Sequence, residues 1–394
     1  MAGRGTKAEK AKCDQSAKPH LVVYSREKES NLCVPLPLAN KAFLMNSLPN
    51  TRFLTFFFLL TLSFGFGGSL TSLTAQKETL FDQWTYDEFL KFTLETDLSV
   101  FTDGSRMEED YQDANFIYEN ENGEEEVFDM KVRMRGKFRR KKCTFPPLKL
   151  NFDKDDLEAR GWYNDDEYKL VTPCISGPSG REYVLKEYLA YKIFQELSEV
   201  HFRVQLVKFT IADTESNKKR KGWGFIIEDG KTLERRYNAD RCSDCYSIPS
   251  DQFDQENLRQ TALFQYLIGN ADWSVPLNKN LEILQSNADS TEHFAVPYDF
   301  DYSGIVNPAY AAPNSDYNLT SVRERVFLGD LTDEEMQPAI DTLMEKKGDI
   351  INLISNCKRL NYTTRKDVLD YIMSCFSSLK EVGLQRPEDK AERE

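Results

Sequence analysis

Leu267-Ile268-Gly269-Asn270-Ala271-Asp272-Trp273, continued by Asn278-Lys279-Asn280 and then by Val296-Pro297-Tyr298-Asp299-Phe300-Asp301-Tyr302-Ser303-Gly304, decides how this chain is read. Leu263, Phe264, Leu267 and Ile268 recur at helical spacing, so Gln255 to Ile268 reads as a helix with one apolar face. Gly269-Asn270 ends that helix and leaves Asp272 on a loop. Asn280 precedes Leu281-Glu282-Ile283-Leu284, a short strand, and Asp299 follows Phe294-Ala295-Val296, its expected hairpin partner. Two carboxylates and an amide therefore meet across one hairpin. Phosphoryl transfer needs such a set. One carboxylate accepts the proton of an attacking hydroxyl, while an amide and a second carboxylate hold the divalent metal that neutralises the phosphates. Asp301 lies two residues further along the strand, on the same face as Asp299, and is a further candidate ligand.

Upstream of this segment the chain is rich in strand signals. Tyr86 to Phe101 alternates and ends at a turn, Asp103-Gly104. Asn115–Tyr118 and Glu126–Met134 flank Glu121-Asn122-Gly123, a hairpin signal. Lys131, Arg133 and Arg135 alternate with Val132 and Met134, and Leu148–Phe152 reads as another strand. Leu185, Leu189, Ile193 and Leu197 mark a helix over Arg181–Val200, followed by a hairpin of Phe202–Ala212 and Trp223–Ile227. Helices then dominate, at Asp333–Ser355 and Arg365–Glu381. Strands first and helices later, with one helix embedded in the sheet, predicts a two-lobed α+β plan. The expected divisions are a leader over 1–75, an N-lobe over 76–229, a C-lobe over 230–385 and a disordered tail over 386–394.

Composition narrows the function classes. Arg52 precedes an apolar run from Phe53 to Phe66, and small residues continue to Ala75, which matches a signal peptide if translation starts at Met45. Export follows from that reading, to periplasm, medium or cell surface, with no stable membrane insertion once the signal is removed. Residues 76–394 hold 42 basic against 60 acidic side chains, a formal charge of −18. So acidic a surface argues against nucleic acid as a partner. Cys143, Cys174, Cys242, Cys245, Cys357 and Cys375 are an even set in an exported chain, which suggests disulfides. Cys242-Ser-Asp-Cys245 is open to three readings: a local bridge, a redox pair or half a zinc site. No GxSxG occurs, and three histidines leave little choice of base for a hydrolase.

Leu263–Asn280 and Val296–Gly304 resemble the catalytic loop and metal-binding segment of the spore-coat protein H (CotH) kinase family, which is similar to atypical kinases of the HipA type, with their Gly-Asn-x-Asp…Lys-Asn loop. Arg135-Gly136 resembles the family's phosphate-side turn, Lys186–Tyr191 its N-lobe helix, and Phe202–Val207 with Gly222–Glu228 the hairpin leading to the hinge. Ser321-Val322-Arg323-Glu324-Arg325 also fits, so the likeness spans most of residues 86–385. The resemblance implies a two-lobed protein-kinase-like fold: an N-lobe antiparallel sheet with one helix, and a mainly helical C-lobe. It implies an ATP-dependent kinase using Mg²⁺ or Mn²⁺, with Asp272 as base and Asn280, Asp299 and Asp301 as metal ligands. Lys149 would anchor the nucleotide and pair with Glu187, Glu182 being the rival partner. Arg135 and Gly136, with Lys137, Arg139 and Arg140 nearby, would hold phosphates, and Glu228 would line the nucleotide side. The chain lacks GxGxxG, so Ser176–Gly180 at a helix start is an alternative anion site. The interval from Asp272 to Asn280 is longer than in HipA-type loops, which keeps Asn278 as an alternative ligand. The acceptor would be a protein or a small hydroxyl-bearing molecule. The competing class is a non-catalytic exported surface or coat protein that binds nucleotide or a protein partner.

Overall fold

Leu90, Phe92, Leu94 and Thr96 are buried along β1 (Leu90–Thr96) while the residues between them are not, the alternation of a strand with one face on a core. The structure, a computed structural model, describes residues 77–102 and 110–391. The leader, the turn at Asp103-Gly104 and the last three residues lie outside the described residues. Before β1 stands α1 (Leu80–Trp84), and after it α2 (Ser99–Thr102). β2 (Gln112–Glu119) and β3 (Glu125–Met134) form the expected hairpin. Next come α3 (Lys137–Lys142), β4 (Leu148–Phe152), α4 (Lys154–Ala159), β5 (Glu167–Val171) and the long α5 (Pro178–Leu197). β6 (Val204–Asp213) and β7 (Lys219–Ile227) are the second long hairpin.

These seven strands close into a barrel in the order β1-β2-β3-β4-β5-β7-β6. Neighbours pair antiparallel except at the closure, where β1 runs parallel to β6, Leu90 opposite Val207 and Thr96 opposite Asp213. The closed mixed barrel overturns the expected kinase-like fold with its N-lobe antiparallel sheet and one helix. The interior explains the closure. Phe92, Phe116, Phe128, Phe152, Tyr168 and Trp84 interdigitate, neighbouring ring centroids lying 4.5–5.7 Å apart. Rings of that size, presented by strands on every side, are buried fully only when the sheet curls around them and leaves no free edge.

A second core lies outside the barrel. α5 buries Leu185, Leu189, Ile193 and Phe194, and its neighbours in that core include Val204 and Leu206 of β6 and Phe225 and Ile227 of β7. The chain continues through α6 (Gly230–Tyr237), β8 (Ala239–Arg241), α7 (Gln255–Ile268), β9 (Leu281–Ser286) and β10 (His293–Pro297), with β10-β9-β8 as a separate three-stranded sheet. α8 (Asp333–Glu345), α9 (Lys347–Asn356), α10 (Tyr362–Glu381) and α11 (Pro387–Ala391) complete the described chain. The single helix expected over 333–355 is two, breaking at Lys346, and the expected disordered tail begins with the short α11. Among the described residues no helix is long and apolar enough to cross a membrane. Cys143–Cys174 and Cys242–Cys245 are disulfides, so the CxxC is a local bridge, and Cys357 and Cys375 are free thiols.

A cationic network joins the two cores. Glu228, just after β7, is fully buried and accepts from Arg203 Nε at 2.6 Å and from Arg236, while Arg203 Nη1 reaches Asp82 of α1 at 2.7 Å. His201 sits beside these arginines with Nδ1 2.7 Å from the Ser198 carbonyl oxygen. Burial pushes His201 down to about 4, and Arg236, Lys192 and Arg203 push the same way against the Ser198 hydrogen bond. A neutral folded histidine against an unfolded one near 6.5 means that the unfolded chain binds the extra proton between those values. Stability therefore falls as pH drops below about 6.5, by up to about 3 kcal/mol from this group. His201→Gln is expected to flatten the pH 4–6.5 limb of a urea-denaturation series. An unchanged limb contradicts the assignment.

Candidate functional site

The site is built where α7 ends. Asp254 caps the helix by accepting from the Asn257 N–H at 2.7 Å. Two buried polar side chains of α7 then grip β10 by its backbone: Asn257 Oδ1 accepts from Ala295 N at 2.7 Å and Thr261 Oγ1 donates to Ala295 O at 2.9 Å. At the helix end Gly269 adopts φ +64°, the left-handed cap that glycine allows without cost. The chain returning after β10 pairs with this end, Gly304 N donating to Gly269 O and Ile305 N to Ile268 O, both at 2.9 Å. The two sequence segments are thus fastened side by side. A Cβ on Gly269 would meet Tyr371 Oη at 2.0 Å. Gly269→Ala is therefore expected to cost more than about 2 kcal/mol in urea denaturation, from backbone strain and the clash together. A loss under 0.5 kcal/mol, on the order of a neutral surface change, contradicts this packing.

Past Gly269, Asn270 is buried and locked by Gln265, with Nδ2 2.9 Å from Gln265 Oε1, and its own Oδ1 accepts from Asp272 N at 3.0 Å. Asp272 is thereby fixed on the loop. Lys279 Nζ lies 2.5 Å from Asp272 Oδ1, and Asn280 Nδ2 donates to Asp272 O at 2.6 Å and to Oδ2 at 3.0 Å. Asn280 and Asp299 take φ +54° and +63°, left-handed values that Asn and Asp tolerate best among residues with a Cβ. Tyr298 N donates to Asn280 O at 3.1 Å, so the β9–β10 ladder runs one step past its last pair and delivers Asp299 beside the loop. The Tyr191 hydroxyl of α5 reaches the same corner and accepts from Asp299 N at 2.9 Å.

Arg139 of α3 occupies the centre. Its Nη2 lies 2.9 Å from Asp299 Oδ1, 2.9 Å from Asp301 Oδ2 and 3.1 Å from Glu187 Oε1. Arg139, Glu187 and Asp301 are buried, while the Asp299 side chain stays 39% exposed. Burial opposes the charge on Arg139, and Asp301, Glu187 and Asp299 hold it ionised. Burial also pushes Glu187 and Asp301 up, the crowding carboxylates adding to it and Arg139 opposing it. Asp272 is among the charges that raise Asp301, so all four acids share one electrostatic neighbourhood.

The remaining expected residues fall elsewhere. Lys149 Nζ is 2.6 Å from Glu167 Oε2 across the β4–β5 ladder, and the expected pairing with Glu187 is made by Arg139 instead. Glu182 accepts from Asn361. Both oxygens of Glu228 are taken by Arg203 and Arg236. Arg135 is half-buried at the end of β3, and Gly136 (φ +82°) stands before α3. One residue escaped the sequence reading altogether. Lys169 of β5 lies over the Phe202 and Tyr298 rings at 5.3 and 5.1 Å, and burial, with Arg135 second, pushes it down to about 8. Its strand was not foreseen, so nothing placed it next to the residue preceding Asp299.

Among the described residues no group of three or more His, Cys, Asp or Glu side chains is set to hold a metal ion. The space between Asp299 and Asp301 is taken by Arg139. The donors themselves are hard oxygens of the kind Mg²⁺ prefers, and Mg²⁺ commonly needs only one or two protein carboxylates plus phosphate oxygens. Asn278 Oδ1, on the same loop, is buried without a hydrogen-bond partner. A cavity of about 300 Å³ is lined by Asp272, Lys279, Tyr302, Asn314 and Asp316 among others.

No protein-family model matches the chain, and no curated protein matches it. Among solved structures it is similar to the Helicobacter pylori proinflammatory kinase CtkA, at 14% identity and a TM-score of 0.33, over 60% of this chain and 93% of that one. A likeness that distant establishes neither the fold nor the chemistry.

Proposed function

We propose that the chain is an ATP-dependent phosphotransferase that moves the γ-phosphoryl group to a hydroxyl acceptor. The observation that carries this reading is the meeting of Asp272, held by Lys279 and Asn280, with Asp299 and Asp301 at one fastened corner of the fold. Asp272 accepts the proton as the acceptor oxygen bonds to the γ-phosphorus and the bond to the ADP oxygen breaks. Lys279, against the same carboxylate, keeps a positive charge next to the transferred group. Asn280 fixes Asp272 through two hydrogen bonds, one to its backbone oxygen and one to its carboxylate. Asp299 and Asp301 would hold Mg²⁺ or Mn²⁺, with the oxygen of Asn280 or the unpartnered oxygen of Asn278 as the further ligand. The metal, when bound, neutralises the phosphates and orients them.

The cavity beside Asp272 would admit the acceptor, either a protein side chain or a small hydroxyl-bearing molecule. Arg135 and Lys169, two half-buried cations near Tyr298, would serve the nucleotide's phosphates. Export by the leader peptide belongs to the same proposal.

The test is label transfer from [γ-³²P]ATP with Mg²⁺ or Mn²⁺ to the chain itself or a generic acceptor. Asp272→Ala is expected to lower transfer by roughly 10²–10⁴-fold, the usual worth of a positioned base, with melting unchanged. Asp299→Ala is expected to lose transfer as well. Transfer at the wild-type rate by folded Asp272→Ala contradicts the assignment.

A further inference from the structure

We infer that Arg139 is a built-in stand-in for the metal: its guanidinium keeps Asp299 and Asp301 in place until a divalent cation displaces it, and it then turns to the phosphate that the cation brings. The inference rests on the metal reading above and adds a residue and an order of events to it.

The geometry is specific. One nitrogen, Nη2, lies 2.9 Å from an oxygen of Asp299 and 2.9 Å from an oxygen of Asp301. A cation bound by both carboxylates must sit between them, which is where this nitrogen stands. Metal and guanidinium are therefore mutually exclusive there by sterics as well as by charge. That nitrogen carries two hydrogens, yet three carboxylate oxygens surround it within 3.1 Å. Two hydrogens cannot serve three oxygens singly, so at least one contact is shared or weakened. Three acids against one guanidinium also leave the cluster short of positive charge, a deficit that a divalent ion reduces and Arg139 does not.

Glu187 supplies what an exchange needs. It lies on α5, apart from the β10 segment that carries Asp299 and Asp301, so Arg139 keeps a partner when the other two are taken. α3 is tied down just behind Arg139. Cys143 at its C-terminal end is bridged to Cys174, and Thr144 N donates to Cys174 O at 2.7 Å. The displaced group is thus a side chain swinging on a fixed helix. Its new partner is an anion arriving with the metal, since an unpaired guanidinium in a buried site is costly.

The prediction concerns metal affinity in the absence of nucleotide, measured as Mn²⁺ binding to the full chain by electron paramagnetic resonance. Arg139→Gln is expected to bind Mn²⁺ at least tenfold more tightly than wild type, and Asp299→Asn added to it is expected to abolish the gain. ADP is expected to narrow the difference, because its phosphates draw Arg139 away in the wild type. If Arg139→Gln does not fold, Arg139→Lys, which keeps a charge but loses the fork, is expected to bind several-fold more tightly than wild type. Equal or weaker Mn²⁺ binding by the folded Arg139 variant overturns this inference while leaving the metal site standing. Absence of Mn²⁺ binding in every variant overturns the metal site and this inference together.

Discussion

Arg139 carries its charge into the interior from a short helix, and two other parts of the chain converge on it. Glu187 comes from α5, the main packing partner of the barrel's outer face, and Asp299 and Asp301 come from the segment after β10. Removing any of these charges from water is expensive, and the attraction between the guanidinium and the carboxylates offsets part of that cost. The guanidinium therefore sets where α3, α5 and the β10 segment stand relative to one another. The Cys143–Cys174 bridge reinforces this by joining the end of α3 to the stretch just before α5.

Around that centre the site depends on tight backbone geometry. Gly269, Asn280 and Asp299 all have positive φ, and each reverses or redirects the chain within a few residues of a chemistry-bearing side chain. The buried amides of Asn257 and Asn270 do similar service by holding β10 and the Asp272 loop through backbone groups. Side chains fixed in this way lose little freedom on meeting a ligand, which is the condition for electrostatic preorganisation. The Asp272 side and the Arg139 side are two halves of one acidic corner, each already supplied with a cation, Lys279 in one and Arg139 in the other.

Local signals in the sequence were read well where they are local in the fold. The helix over Gln255–Ile268, its glycine stop and the β9–β10 hairpin follow from periodicity and turn residues, and the β2–β3 hairpin from Asn122-Gly123. Barrel closure was not legible, because β1 finds β6 across a long stretch of chain and no pattern within either strand names its partner. β5 was missed because Glu167 and Lys169 interrupt its apolar character and Asp165-Asp166 precede it. The Glu187 partner was misassigned for a related reason. Both Lys149 and Arg139 follow the β3 strand, and only tertiary pairing, Glu167 with Lys149, decides which cation turns inward. The expectation of a kinase-like lobe came from the motif segment and was carried to strands whose packing the motif does not determine.

The most direct measurement is a crystal structure of the chain grown with Mn²⁺ and a non-hydrolysable ATP analogue, read by anomalous scattering at the manganese edge. The account predicts an anomalous peak bound by both Asp299 and Asp301, with the Arg139 guanidinium withdrawn from between them and contacting a phosphate. Arg139 still seated between the two aspartates, with no manganese there while nucleotide is bound, would contradict it.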